Sequence, residues 1–121
     1  MSTLRRTISQ KSGLVHDVHE YSINWDTREL YLHAYLGRDE SEEVDERMAQ
    51  QLIKNLTFLS YLNTNRDPIV IHMMTCGGDW NYGMAIYDAI EACRCPVSIL
   101  AYGHARSMSS IILQSADYRV L

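Results

Sequence analysis

Ile69-Val70-Ile71-His72-Met73-Met74 holds a single polar residue and runs directly into Thr75-Cys76-Gly77-Gly78. A short apolar run broken by glycines reads as a strand, and one so apolar is expected to be covered on both faces. His72 then reads as a packed strand residue and not as a ligand. In front of the strand, Asn63-Thr64-Asn65-Arg66-Asp67-Pro68 is a turn cluster. Before the turn, Val44, Met48, Leu52, Leu56 and Leu59 recur at helical spacing, which defines one amphipathic helix from about Glu42 to Leu62. Six acids fall in the eight residues from Asp39 to Glu46. They suit the amide-rich end of a helix dipole, with Asp39 or Ser41 as the expected cap. Earlier still, Leu30, Leu32, Ala34 and Leu36 alternate with Tyr31, His33 and Tyr35, a strand over 29–36 closed by Gly37.

Downstream of the glycine pair, Asp79 onward reads as helical through about Cys93, with Ile86 and Ile90 on one face and Pro96 ending the segment. Val97 to Tyr102 is a further apolar strand, Gly103 a break, Ser107 to Ser115 a short helix, and Asp117-Tyr118-Arg119-Val120-Leu121 the start of one more strand. This alternation calls for an α/β fold with right-handed crossovers and a largely parallel sheet. The last residues are apolar and strand-like, so the fold is expected to be truncated at its C-terminus. Residues 1–24 are polar and without period and read as a flexible arm, leaving 25–121 as one partial domain. His16 and His19 would share a metal only within a helix with further ligands; a solvated arm is the expectation.

Length and composition narrow the function classes. A chain of 121 residues supports one small domain. Eleven basic against fifteen acidic residues give a net charge of −4, so electrostatic capture of nucleic acid is not expected. Apolar runs are far shorter than a membrane span, and Met1-Ser2-Thr3-Leu4-Arg5-Arg6 has no apolar segment behind it, so neither membrane anchoring nor secretion is expected. Three cysteines cannot all pair, and Cys93-Arg94-Cys95 is too tightly spaced for an easy mutual disulfide; reduced thiols in a cytoplasmic protein are expected.

In an open parallel sheet, sites form at the carboxyl ends of the strands. Gly77-Gly78 ends one central strand and Gly103-His104-Ala105-Arg106-Ser107-Met108 follows the next, so neighbouring strands would open both loops on one edge. A glycine pair can turn its amides outward toward a negative oxygen. Ser107 at a helix start, beside the free amide of Met108, would complete a serine nucleophile with a two-amide oxyanion hole. By local pattern alone, however, Ser107 reads first as a plain helix cap. The glycines fit neither a dinucleotide fingerprint nor a phosphate loop.

Met74-Thr75-Cys76-Gly77-Gly78, Gly83-Met84-Ala85-Ile86-Tyr87-Asp88-Ala89-Ile90, Pro96-Val97-Ser98 and Gly103-His104-Ala105-Arg106-Ser107-Met108 together resemble the ClpP family, the proteolytic subunit of the ATP-dependent Clp protease. The likeness runs without a gap from Gly77 to Met108 and more loosely from about Asp26 to Leu121. It implies a ClpP/crotonase-like fold of repeated β-β-α units. It also implies that Ser107 is the nucleophile of a Ser-His-Asp triad and that Gly78 and Met108 supply the oxyanion-hole amides. The family cleaves unfolded polypeptides inside stacked heptameric rings, is fed by an AAA+ unfoldase, and needs no cofactor or metal of its own. Residues 1–24 would correspond to the segment lining the axial entrance, and the helix from about Glu42 to part of the ring-forming head.

The chain departs from the family pattern in several places. Cys76 stands where Pro is usual, Arg106 where a small residue precedes the serine, and Ser109 where Gly or Ala follows Met108. Cys76 is a minor alternative nucleophile and His104 a minor alternative base. The family's triad His and Asp fall beyond the fourteen residues that follow Ser107, so these 121 residues alone are expected to be inactive. Two other readings stand beside the peptidase: a non-catalytic ClpP-like subunit of a mixed ring, and a crotonase-fold enzyme holding an acyl-CoA thioester enolate.

Overall fold

The computed structural model describes residues 8–33, 43–62, 65–103 and 105–120. In chain order its elements are α1 (Ile8–Tyr21), β1 (Ile23–Asn24), β2 (Glu29–His33), α2 (Glu46–Tyr61), β3 (Ile69–Met74), α3 (Trp80–Glu91), β4 (Val97–Ala101), α4 (Met108–Gln114) and β5 (Tyr118–Val120). The five strands form one sheet in sequence order, with β1 antiparallel to β2 and every later pair parallel. The expected mixed α/β fold with a mostly parallel sheet is therefore present.

Alternate residues of the strands face the helices. Leu30 and Leu32 of β2, Ile69, Ile71 and Met73 of β3, and Val97 and Ile99 of β4 are buried in one cluster with Leu52, Leu56 and Leu59 of α2, Ile86 and Ile90 of α3, and Ile112 of α4. The other face keeps Val70 and His72 half-buried and Met74 51% exposed. This corrects the expectation that β3 is covered on both faces. An apolar run does not state which of its faces receives a helix, and α2, α3 and α4 all contribute to the core on the same side.

Two further expectations change. Residues 8–21 are helical, not irregular: α1 lacks a continuous apolar stripe, and tertiary contact holds its end, where the Asn55 amide donates to the Tyr21 carbonyl at 2.8 Å. The cap of α2 is Asp45, whose Oδ1 accepts from the Met48 amide at 2.9 Å, and the helix begins at Glu46. Asp39 and Ser41, together with the end of the predicted strand at Ala34, Tyr35, Leu36 and Gly37, lie outside the described residues, as do Asn63, Thr64, His104, Leu121 and residues 1–7. Among the described residues no helix is long and apolar enough to cross a membrane.

Candidate active site

The parallel register of β3 with β4 (Ile69↔Val97 through Met73↔Ala101) brings their carboxyl ends side by side, and the Tyr102 amide extends the ladder to the Met73 carbonyl at 3.0 Å. The loops carrying the glycine pair and Ser107 therefore leave the same edge of the sheet. They touch. A Cβ placed on Gly77 would lie 2.9 Å from the Ser107 Cβ, 3.0 Å from the Met108 nitrogen and 3.1 Å from the Arg106 carbonyl oxygen. With its φ of +109°, this position admits glycine alone without strain.

Gly78 is pinned from the other side. The Val44 amide donates to the Gly77 carbonyl at 2.6 Å and the Asp79 amide donates to the Val44 carbonyl at 3.1 Å, the pattern of a parallel bridge between Val44 and Gly78. In that pattern the bridging bonds belong to the neighbours of Gly78, so its own N–H points away from Val44. Asp79 then caps α3 through a bond from the Tyr82 amide at 2.9 Å. Gly83, one turn in, is where a side chain would collide with Met108, which lets α3 and α4 approach closely.

Ser107 has φ 51° and ψ −129°, a region that costs a non-glycine residue on the order of 1–3 kcal/mol. Neighbouring serines impose it. The fully buried Ser109 hydroxyl donates to the Arg106 carbonyl at 2.6 Å and accepts from the Arg106 amide at 2.8 Å, while the Ser110 hydroxyl donates to the Ser107 carbonyl at 2.6 Å. Ser107 occupies the N-cap position of α4, is exposed, and makes no side-chain cap bond. The plain-cap reading is therefore overturned: the backbone turns too sharply for the hydroxyl to reach the second or third amide of the helix. Met108, the first residue of α4, has no intrahelical acceptor for its amide.

Cys76 is half-buried in the loop between β3 and α3, and Arg106 is exposed. His16 faces Asp17 at 3.5 Å on α1, and groups of three or more metal-ligating side chains do not occur among the described residues. Sequence reading missed the roles of Ser109 and Ser110 as clamps and that of Gly77 as the floor under Ser107. The signal for the clamps was present, because the adjacent Ser109 and Ser110 at a helix start offer hydroxyls at the spacing that bonds back to i−3 carbonyls.

A second polar cluster, also missed, occupies the open face of the sheet. His72 Nε2 lies 2.7 Å from Glu29 Oε1 and His72 Nδ1 lies 2.7 Å from the Tyr102 hydroxyl, with the ring stacked on Tyr31 at 5.0 Å between centroids. The Glu29 carboxyl is held below its ordinary value, first by a hydrogen bond from the Thr27 side chain and then by His72; burial, with the Glu29 charge second, pushes the Tyr31 hydroxyl up.

A family model for the Clp protease matches residues 38–120. Among solved structures, a point mutant of ClpP1 from Listeria monocytogenes is 25% identical, with a TM-score of 0.66 over 76% of this chain and 48% of that one. ClpP1 from Listeria monocytogenes itself is 23% identical, with a TM-score of 0.67 over 91% of this chain and 52% of that one. The ClpP protease catalytic domain from Plasmodium falciparum is 23% identical, with a TM-score of 0.67 over 97% of this chain and 55% of that one. The chain thus spans about half the length of the solved proteins it matches.

Proposed function

This chain belongs to the Clp protease family, and on that premise we propose that it is part of a serine endopeptidase in which Ser107 is the nucleophile. The observation that carries the reading is the strained, exposed and uncapped Ser107 seated on Gly77. A helix-capping serine needs neither positive φ nor exposure, whereas a nucleophile benefits from both, since its hydroxyl must project from the turn toward substrate.

In the proposed reaction Ser107 Oγ attacks the scissile carbonyl carbon. The developing oxyanion accepts hydrogen bonds from the Gly78 and Met108 amides, donors already oriented by the Val44 bridge and by the helix start. A His base, oriented by an Asp, takes the Ser107 proton and returns it to the leaving amine. That pair comes from outside these 121 residues, so the activity belongs to the longer protein. Its substrates are unfolded polypeptides, delivered by an AAA+ unfoldase into stacked heptameric rings in the cytoplasm, with no cofactor on the peptidase side; the segment 1–24 corresponds to the family's axial-entrance segment. A crotonase-type acyl-CoA enzyme would use the paired amides and leave Ser107 without a task.

A fluorophosphonate probe applied to the full-length protein should label Ser107, and Ser107→Ala should remove the label. A folded full-length protein that takes up no probe would instead mark a non-catalytic subunit.

A further inference from the structure

At the opposite end of β4 from Ser107, Cys93 and Cys95 line an open cavity of about 570 Å³ together with Arg66, Arg94, Asp117 and Tyr118. Five strand residues, about 17 Å of chain, separate this cavity from the serine edge. Cys95 is buried and Cys93 half-buried on the open side. Burial pushes the Cys93 thiol up; a backbone hydrogen bond at Cys95 opposes it, while the Cys95 side chain and the Asp117 carboxylate add to it, so Cys93 rests as a protonated thiol in hydrogen-bonding reach of Cys95.

Arg28 lies directly behind the pair. Its buried guanidinium donates to the carbonyls of Leu59 and Asp67 at 3.0 Å and of Pro68 at 3.3 Å, and it also touches the Cys95 sulfur at 3.4 Å. A buried cation favours a negative neighbour, and the Cys95 sulfur that it touches is a group that can become an anion.

We propose that Cys93 and Cys95 form a reversible dithiol–disulfide site that exchanges with anionic low-molecular-weight disulfides. Arg66 and Arg94, both exposed on the cavity rim, supply the positive charge that selects an anionic reagent. Cys93, as its thiolate, attacks one sulfur of oxidised glutathione, forms a mixed disulfide and releases one glutathione thiolate, which takes up the Cys93 proton. Cys95 gives up its proton beside Arg28 and attacks the Cys93 sulfur, expelling the second glutathione. The protein loses two electrons and two protons, and the oxidant gains them. With one residue between the cysteines the disulfide ring is small and strained, so it is readily reduced, as a reversible site requires.

The full chain, folded, is treated with oxidised glutathione or with the cationic disulfide cystamine, and the remaining thiols are then blocked with excess N-ethylmaleimide. Intact mass counts the thiols lost, and fragment-ion sequencing shows which cysteines escaped blocking, so a linked Cys93–Cys95 pair is told from one that includes Cys76 and is read equally in variants without Arg94. The linked pair should form with glutathione at least about threefold faster than with cystamine, and Arg66→Gln with Arg94→Gln should abolish that preference. Cys95→Ser should instead accumulate glutathione on Cys93. The proposal is overturned by modification confined to Cys76, by a stable Cys93 adduct in the unsubstituted protein, by absence of reaction, or by equal rates for the two disulfides.

Discussion

Both ends of the central strand pair carry a non-glycine residue at positive φ, Ser107 at the carboxyl end and Arg28 near the amino end, at 51° and 61°. Their side chains are used in opposite ways. Arg28 is buried, and its guanidinium ties the start of β2 to the end of α2, to residues 67 and 68, and to Cys95. Ser107 is exposed, its turn is clamped by Ser109 and Ser110, and its own hydroxyl makes no cap bond. Strain offset by hydrogen bonds from the same residue is structural. Strain imposed by neighbours on a residue whose side chain stays available is the pattern of a reactive group.

The sharpest way to break this comparison is Ser107→Ala in the full-length protein. Peptidase turnover should fall on the order of 10^5-fold or more while the unfolding midpoint in urea holds or rises. Arg28→Met should do the reverse: about 3 kcal/mol of stability lost in urea unfolding, because three carbonyls lose a buried donor, with fluorophosphonate labelling of Ser107 retained below the new midpoint. Gly77→Ala joins the two effects, since its methyl meets Ser107 at 2.9 Å. It should cost about 2 kcal/mol by the same measurement and slow labelling. Ser107→Gly should stabilise by about 1 kcal/mol, as glycine adopts that φ without a Cβ penalty, while abolishing labelling.

The smallest effect concerns the open face. Glu29 is depressed in the fold, so its contribution is present above the ordinary value of 4.5 and is lost as pH falls through the lower folded value. Glu29→Gln should flatten the acid limb of a urea-midpoint-against-pH curve by about 0.5 kcal/mol or less, because solvent screens this half-exposed group. An unchanged acid limb would remove Glu29 from the account of acid stability.

Much of the fold was readable because its signals are local. The period of Met48, Leu52, Leu56 and Leu59, the apolar runs at 69–74 and 97–101, and Pro96 each depend on neighbours within a few residues. The motif residues around Gly77, Gly78 and Ser107 were readable as candidates for the same reason. The helix over Ile8–Tyr21 was not, because its end is held by Asn55, thirty-four residues away from its partner Tyr21. The Glu29–His72–Tyr102 cluster was hidden likewise: β2, β3 and the end of β4 meet only through sheet register.

By itself, then, the order of residues determined the alternation of strands and helices and the two glycine-and-serine loops, since spacing and backbone preference are properties of short segments. Only the tertiary structure decided that Ser107 is not a cap. That answer required the Gly77 backbone, the buried Ser109 hydroxyl and the parallel register of β3 with β4 to act on one turn together. It also decided which face of β3 is covered, because burial depends on where other elements pack and not on how apolar a strand is.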